Sequence, residues 1–224
     1  MSNLTLFEQV WQMLPALGHG AVITIQLFFA TLIISIPLGL PFALGENSKI
    51  LPVRWLSKFY VFVFRGSPLL LQLFFFYFLF PLAFDYKISS MGAAVLTFSL
   101  NYAAYFAEIY RGGINSIDRG QYEAAYSLGL TRGQTMKGII IPQMMRVVLP
   151  PIGNEMIVLV KDTALVSAIG VADLLKVSRG IVNREVSMLA YVVAVGIYLL
   201  MTFVLTVFLT KVEKRFSKYD EVEE

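Results

Sequence analysis

Residues 21–44, AVITIQLFFATLIISIPLGLPFAL, hold no charged side chain. Coiled into a helix rising about 1.5 Å per residue, such a run reaches across the roughly 30 Å hydrocarbon layer of a bilayer. Pro37 and Pro41 should kink its second half. Working outward, residues 88–107 and 186–210 are equally free of charge, and so are residues 66–84. An apolar and basic stretch, residues 53–65, precedes the last of these and reads as a segment entering from the membrane surface. A weaker run, residues 139–160, contains Arg146 and Glu155. The chain is 57% hydrophobic and 15% charged, with mean hydropathy +0.70, whereas a soluble domain is about half apolar and a quarter charged. The excess calls for a lipid solvent.

The sequence therefore predicts an all-α membrane protein, one domain over residues 1–224. Five transmembrane helices are expected at residues 21–44, 59–84, 88–107, 139–160 and 186–210. Basic residues favour cytoplasmic segments. With the N-terminus outside and the C-terminus cytoplasmic, eleven fall inside: Lys49, Arg54, Lys58, Arg111, Arg119, Arg132, Lys137, Lys211, Lys214, Arg215 and Lys218. Five fall outside: Lys87, Lys161, Lys176, Arg179 and Arg184. No Lys or Arg precedes Lys49, so the first apolar run reads as a retained span rather than a cleaved signal. Residues 163–172 are apolar but too short to cross, and suit a re-entrant piece at the outer mouth of a pore. No internal repeat is evident, and an odd span count argues against an inverted repeat. A pseudo-symmetric pore would then need a second subunit.

Composition excludes several functions. The net charge of +3 is scattered and forms no stripe for nucleic acid. Without cysteine and with His19 as the single histidine, thiolate chemistry is absent and metal binding has little to work with. No G-x-x-x-x-G-K-[ST] phosphate cradle occurs, and neither H-E-x-x-H nor G-x-S-x-G is present. No catalytic residue is expected.

The loop at residues 111–138 carries the clearest local signal. Helix formers run from Gln121 to Leu128, Gly129 can take the left-handed conformation that ends a helix, and Thr131 begins a capping box with Gln134. Two short helices should form a bent knuckle, with Ala124 and Ala125 as a smooth face and Glu123 at its edge. Glu123-Ala124-Ala125, Gly129 six residues after Glu123, Ile139 ten further on, and Ile141-Pro142 resemble the EAA loop of bacterial ATP-binding-cassette import permeases. Ile141 stands where that family usually has Leu. Residues 65–70 (RGSPLL), 104–108 (AYFAE) with 111–113 (RGG), and 161–165 (KDTAL) look like its polar amino-acid branch, with Ser67 and Ala164 where Thr and Ser are common. The resemblance covers nearly the whole chain.

The resemblance implies the pore subunit of an importer that moves a polar or basic L-amino acid inward through a bacterial inner membrane. It implies Glu123, Ala124, Ala125, Gly129, Ile139 and Pro142 as the contact with an ATPase dimer, which would bind the ATP and Mg. A second permease subunit and an extracytoplasmic substrate-binding protein would complete the system. An ion-coupled carrier using Glu108 and Glu155 is the rival reading.

For the substrate path, Pro150-Pro151-Ile152-Gly153 should break the fourth span beside Asn154 and Glu155 and open it to a cavity. A carboxylate there costs roughly 2.5–3.5 kcal/mol on insertion scales and implies a partner or a water-filled site. Arg146 or Lys161 could be that partner. Asn101, Tyr105 and Glu108 share one helical face by spacing, which suggests a pore lining. Thr163 opens the re-entrant piece. Ser67 and Pro68 should start a helix as N-cap and first residue, leaving Arg65 at a backbone break. Ala103 and Ala107 form a small-residue pair that admits a close helix, whether from this chain or another.

Overall fold

In the computed structural model, residues 5–217 are described, and Lys218 lies outside them. Every regular element among them is helical. Thr5 and Glu8 form a reciprocal cap that starts α1, Leu6–Glu46. This helix has 41 residues, about twice the length a bilayer core needs. Residues 21–44 are thus the second half of a longer rod. Pro15, Pro37 and Pro41 lie inside it without ending it, because a proline removes one bond of a ladder whose neighbours persist.

The expected span at residues 59–84 is instead two helices, α2, Leu51–Gly66, and α3, Leu69–Phe84, whose axes are bent by 109°. Ser67 precedes a proline, which pushes it out of the helical region to φ −117° and ψ 148°. Pro68 is itself extended and serves as the N-cap, so α3 starts one residue later than predicted. Ser67 does not cap it. Its hydroxyl donates back to the Val63 carbonyl at 2.7 Å. The bend frees backbone carbonyls that lipid cannot satisfy, and two buried amides supply them. Gln72 Nε2 donates to the carbonyls of Phe64 (2.8 Å) and Ser67 (3.1 Å), and Asn101 Nδ2 donates to Phe64 O (3.0 Å) and Gln72 Oε1 (2.9 Å).

Helix α4, Ser90–Ser116, is the hub and touches α1, α2, α3 and α7. Phe98, Ala103, Ala104, Phe106 and Ala107 are all fully buried on it. The Ala103–Ala107 pair receives α1 of the same chain: a Cβ added at Gly39 would lie 2.9 Å from Phe106 Cβ and 3.0 Å from Ala103 O. Gly113 does the same for α7, where a Cβ would meet Val148 Cγ1 at 2.2 Å. Close backbone approach is how helices associate where no water drives them together.

After α4 come α5, Arg119–Ser127, and α6, Arg132–Thr135, then a π-helical turn, Met136–Ile140, leading into α7, Ile141–Asp162. Contrary to the expected break, α7 runs unbroken through Pro150 and Pro151. The ladder on either side continues, and packing through Val148, Ile152 and Gly153 holds the segment in line. The departure from α-helix comes later, as a 3₁₀ helix, Thr163–Ile169, ended by Gly170 at φ 90°. That is where the re-entrant piece was expected.

Asp173, fully buried, caps α8, Leu174–Glu185, through the N–H groups of Leu175 and Lys176. A second apolar cluster of Met13, Leu17, Leu174, Ile181, Ala190 and Ala194 clamps the start of α1 to α8 and to α9, Leu189–Ser217.

By length and apolarity α1 and α9 can each cross a membrane, and the bent α2–α3 pair makes a third crossing if taken as one. Helices α4 and α7 cover the two other expected spans, but polar and charged residues such as Asn101, Glu108, Arg146 and Glu155 lower their apolarity.

Replacing Asn101 with Ala should leave Gln72 Oε1 unpaired and Phe64 O with one donor fewer. Unsatisfied buried groups cost about 1–3 kcal/mol each. The expected outcome is a lowered unfolding midpoint for the purified protein in detergent, read by tryptophan fluorescence.

Candidate functional site

Two features of the fold converge on α4. The first is the knuckle at its C-terminal end. Asp118 caps α5 by accepting from the Gly120 N–H at 2.6 Å. At the other end Gly129 sits at φ 75°, and Leu130 N–H reaches back to Ala125 O at 3.1 Å, closing the turn as its sequence predicted. Thr131 and Gln134 then cap each other. Glu123 and Ala124 are exposed, but Ala125 is buried against its own chain, so the two alanines do not share an outer face. Tyr126 and Leu128 are exposed instead. Sequence reasoning passed over them, although an aromatic and a leucine one turn and slightly more beyond Glu123 are visible in the α5 pattern.

Gln143 Nε2 donates to Gln121 Oε1 at 3.2 Å and ties the knuckle to α7. Pro142 is exposed in the first turn of α7, and Ile139 is half-buried in the π-helical turn. Ile139 lines, with Leu130, Gly133, Gln134, Lys137 and Gly138, a groove of about 630 Å³ beside the knuckle. Of the motif residues, Glu123, Ala124, Gly129 and Pro142 are exposed, Ala125 is buried, and Ile139 borders the concavity beside the knuckle.

The second feature is a track of charge inside the helix bundle. Arg65, in the last turn of α2, lies over the Tyr105 ring at 5.4 Å and faces Glu108 Oε2 at 3.7 Å. The elbow puts it there. Arg65 and Asp162 are charges that act on Glu155. Asp162 accepts from the hydroxyl of buried Tyr102 at 2.8 Å, and Tyr102 and Tyr105 lie with ring centroids 6.1 Å apart. Glu155 forms no ion pair with Arg146 or Lys161 among the described residues. It is half-buried, and Asn154 beside it is exposed.

The other expected path residues sit differently. Asn101 is buried, with its amide holding the α2–α3 elbow. Thr163 is buried too, and its hydroxyl donates to Val160 O at 2.6 Å. Sequence reasoning did not single out Asp162 or Tyr102, because nothing local announces a contact between residues sixty positions apart.

A bundle of apolar helices enclosing such a track, with a capped knuckle at one end of its hub, has the build of a membrane transport subunit. Residues 35–218 match the family of binding-protein-dependent transport system inner membrane components, and the chain belongs to that family.

The L-cystine transport system permease protein of Bacillus subtilis (strain 168) is 40% identical over 92% of this chain and 88% of its own length. The arginine transport system permease protein of the same organism is 36% identical over 96% and 98%. The glutamine transport system permease protein of Escherichia coli (strain K12) is 36% identical over 93% and 96%. A crystal structure of an amino acid ABC transporter with histidines superposes with a TM-score of 0.86 at 36% identity, covering 95% of this chain and 99% of that one. An inward-facing MetNI methionine ABC transporter shares the fold, with a TM-score of 0.73 at 14% identity. The protein is thus a transporter subunit of the bacterial inner membrane and not an enzyme, and ATP is hydrolysed on a separate subunit.

Gly129→Val should strain the left-handed turn by about 1–2 kcal/mol. Amide exchange at Leu130, whose N–H closes the turn, should then accelerate about five- to thirtyfold, while α4 amides keep their protection. Hydrogen exchange read by mass spectrometry checks this.

Proposed function

We propose that this chain forms the translocation path of an importer that brings a polar or basic L-amino acid into the cytoplasm by alternating access. The observation that carries the reading is the grouping of one cation, Arg65, over Tyr105, with Asp162 on Tyr102 and the rings of Tyr102 and Tyr105 6.1 Å apart, Glu155 feeling the charge of both Arg65 and Asp162. A free amino acid presents the matching pair of charges. Its carboxylate suits the flat, forked guanidinium of Arg65, and its ammonium suits Glu155 or Asp162. Asn154 and Tyr105 flank the same place, while Asn101 and Thr163 support it through the elbow and the 3₁₀ turn. A second acidic group accommodates a cationic side chain, which supports arginine, lysine or histidine as well as uncharged polar substrates.

In this reading the chain is a single membrane domain over residues 1–224, with five spans, the N-terminus outside and the knuckle in the cytoplasm. The fourth span, α7, is whole and lines the path with side chains rather than with exposed backbone. A substrate-binding protein delivers the amino acid from outside. Two such path subunits, identical or paralogous, share an ATPase dimer that binds ATP and Mg, and this chain itself takes no cofactor. Glu123, Ala124 and Gly129 seat the knuckle on the ATPase with Tyr126 and Leu128, while Ala125 anchors it internally, Ile139 lines the flanking groove and Pro142 stands exposed at the start of α7. Two residues separate α4 from α5, so a push on the knuckle moves α4 against α1 and α2 as rigid bodies.

The test is uptake by proteoliposomes holding the full complex with its binding protein, screened across amino acids. Glu155→Gln should lower uptake of the best substrate at least tenfold, with the Arg65→Ala variant losing a comparable amount. Uptake should need ATP and should persist with an uncoupler present. Collapse under the uncoupler at constant ATP would establish an ion-coupled carrier instead.

A further inference from the structure

Toward the C-terminal ends of α1 and α4 lies a cavity of about 350 Å³ that shares only Glu108 with the track described above. Glu46, Asn47, Lys58, Glu108 and Arg111 line it, with Val61 and Phe62 as an apolar wall. That volume is at the small end of the roughly 300–1,000 Å³ typical of small-molecule sites. Its charged groups come from α1, α2 and α4. Arg111 is committed to Glu108: Nε donates to Oε2 at 3.1 Å and the second nitrogen donates to Oε1. Arg65 faces the same carboxylate from the path side at 3.7 Å. Glu108 thus joins the charges of the cavity to Arg65 and, through it, to the ring of Tyr105.

Glu46 is buried with a single ion-pair partner. Its side chain is 5% exposed, and Arg111 Nε lies 3.1 Å from its Oε2. The N–H on that nitrogen, however, is aimed at Glu108. No hydrogen bond from the described residues reaches the Glu46 carboxylate. Buried carboxylates are normally satisfied by several donors. Glu46 is also the last residue of α1, where the helix dipole disfavours negative charge. Its burial and its place at a helix C-terminus are costs that the Arg111 ion pair offsets in part and that a donor entering from the cavity would offset further. Lys58, exposed at the rim, is a further charge acting on Glu46.

We propose that this cavity is a second station for the transported amino acid, on the cytoplasmic side of the Glu155 site. Glu46 accepts the N–H groups of the α-ammonium, and Lys58 holds the α-carboxylate. The assignment rests on the reading that the chain carries amino acids. Leaving the first station, the solute passes from the charges around Arg65 to those around Arg111 without crossing an uncharged stretch. Because the station faces the cytoplasm, it also gives accumulated amino acid a place to bind from inside.

The test uses the complex of this chain with its ATPase subunits in lipid nanodiscs, free of binding protein and nucleotide. Labelled L-glutamine, L-arginine and L-cystine are each titrated by equilibrium dialysis. For the probe that binds best, two sites are expected per copy of this chain. Glu46→Gln should weaken one of them at least tenfold, and Glu155→Gln should leave that one intact. A single site in the unaltered protein, or two unchanged sites in the Glu46→Gln variant, would overturn the second station while leaving the transport reading standing. Failure of all three amino acids to bind at all would overturn both.

Lys58→Ala guards against misfolding, since that side chain is exposed. It should weaken the second site about tenfold for the free amino acid and leave the corresponding amino-acid amide, which lacks the carboxylate, unaffected. An equal loss for both ligands would refute the assignment.

Discussion

Hydrocarbon offers no partner to a bare peptide group, and the sharp bend between α2 and α3 is where this protein meets that constraint most severely. A 109° elbow opens the ladder at Phe64 and Ser67, and each unsatisfied group in lipid costs several kcal/mol. Gln72 and Asn101 cover the break from two different helices. Much else depends on this repair. It turns the end of α2 inward, sets Arg65 over Tyr105, and brings that cation to Glu108 and to the vicinity of Glu155. The amide of Asn101 thus helps to hold the bend that sets Arg65 beside Glu108.

Helix α4 joins packing and chemistry in one rod. Its alanines and Gly113 let α1 and α7 approach to backbone contact, and its tyrosines and charges line the interior from Tyr102 to Arg111. The same rod ends two residues short of the knuckle. The side chains proposed to meet solute and the start of the knuckle are thus joined by a single stiff element, with Arg111 holding Glu108 and facing Glu46 across the α1 boundary. In the proposed cycle this is how force applied outside the membrane reaches the solute within it.

Two departures from expectation have the same origin. Pro150 and Pro151 do not break α7, because losing two donors is tolerable where flanking turns and close packing hold the axis. Ala125 is not on the exposed face of α5, because α5 folds back on the chain that follows it, through Leu130 and Gln143. Neither outcome is a property of the local residues. Each depends on which side of a helix its neighbours occupy, and a pattern read along one segment carries no record of that.

Local chemistry was sufficient for the features that need only near neighbours. Charge-free runs imply membrane helices because the lipid thickness sets their length. Gly129 implies a turn because only glycine enters the left-handed region at little cost, and the spacing of Thr131 and Gln134 implies a cap because the bonds span three residues. The track itself required the tertiary structure. Tyr102 meets Asp162, Arg111 meets Glu46, and Arg65 meets Glu108 across separations of dozens of residues. Helix packing brings such pairs together, and it is decided by the bend at Ser67–Pro68 and by the small residues of α4.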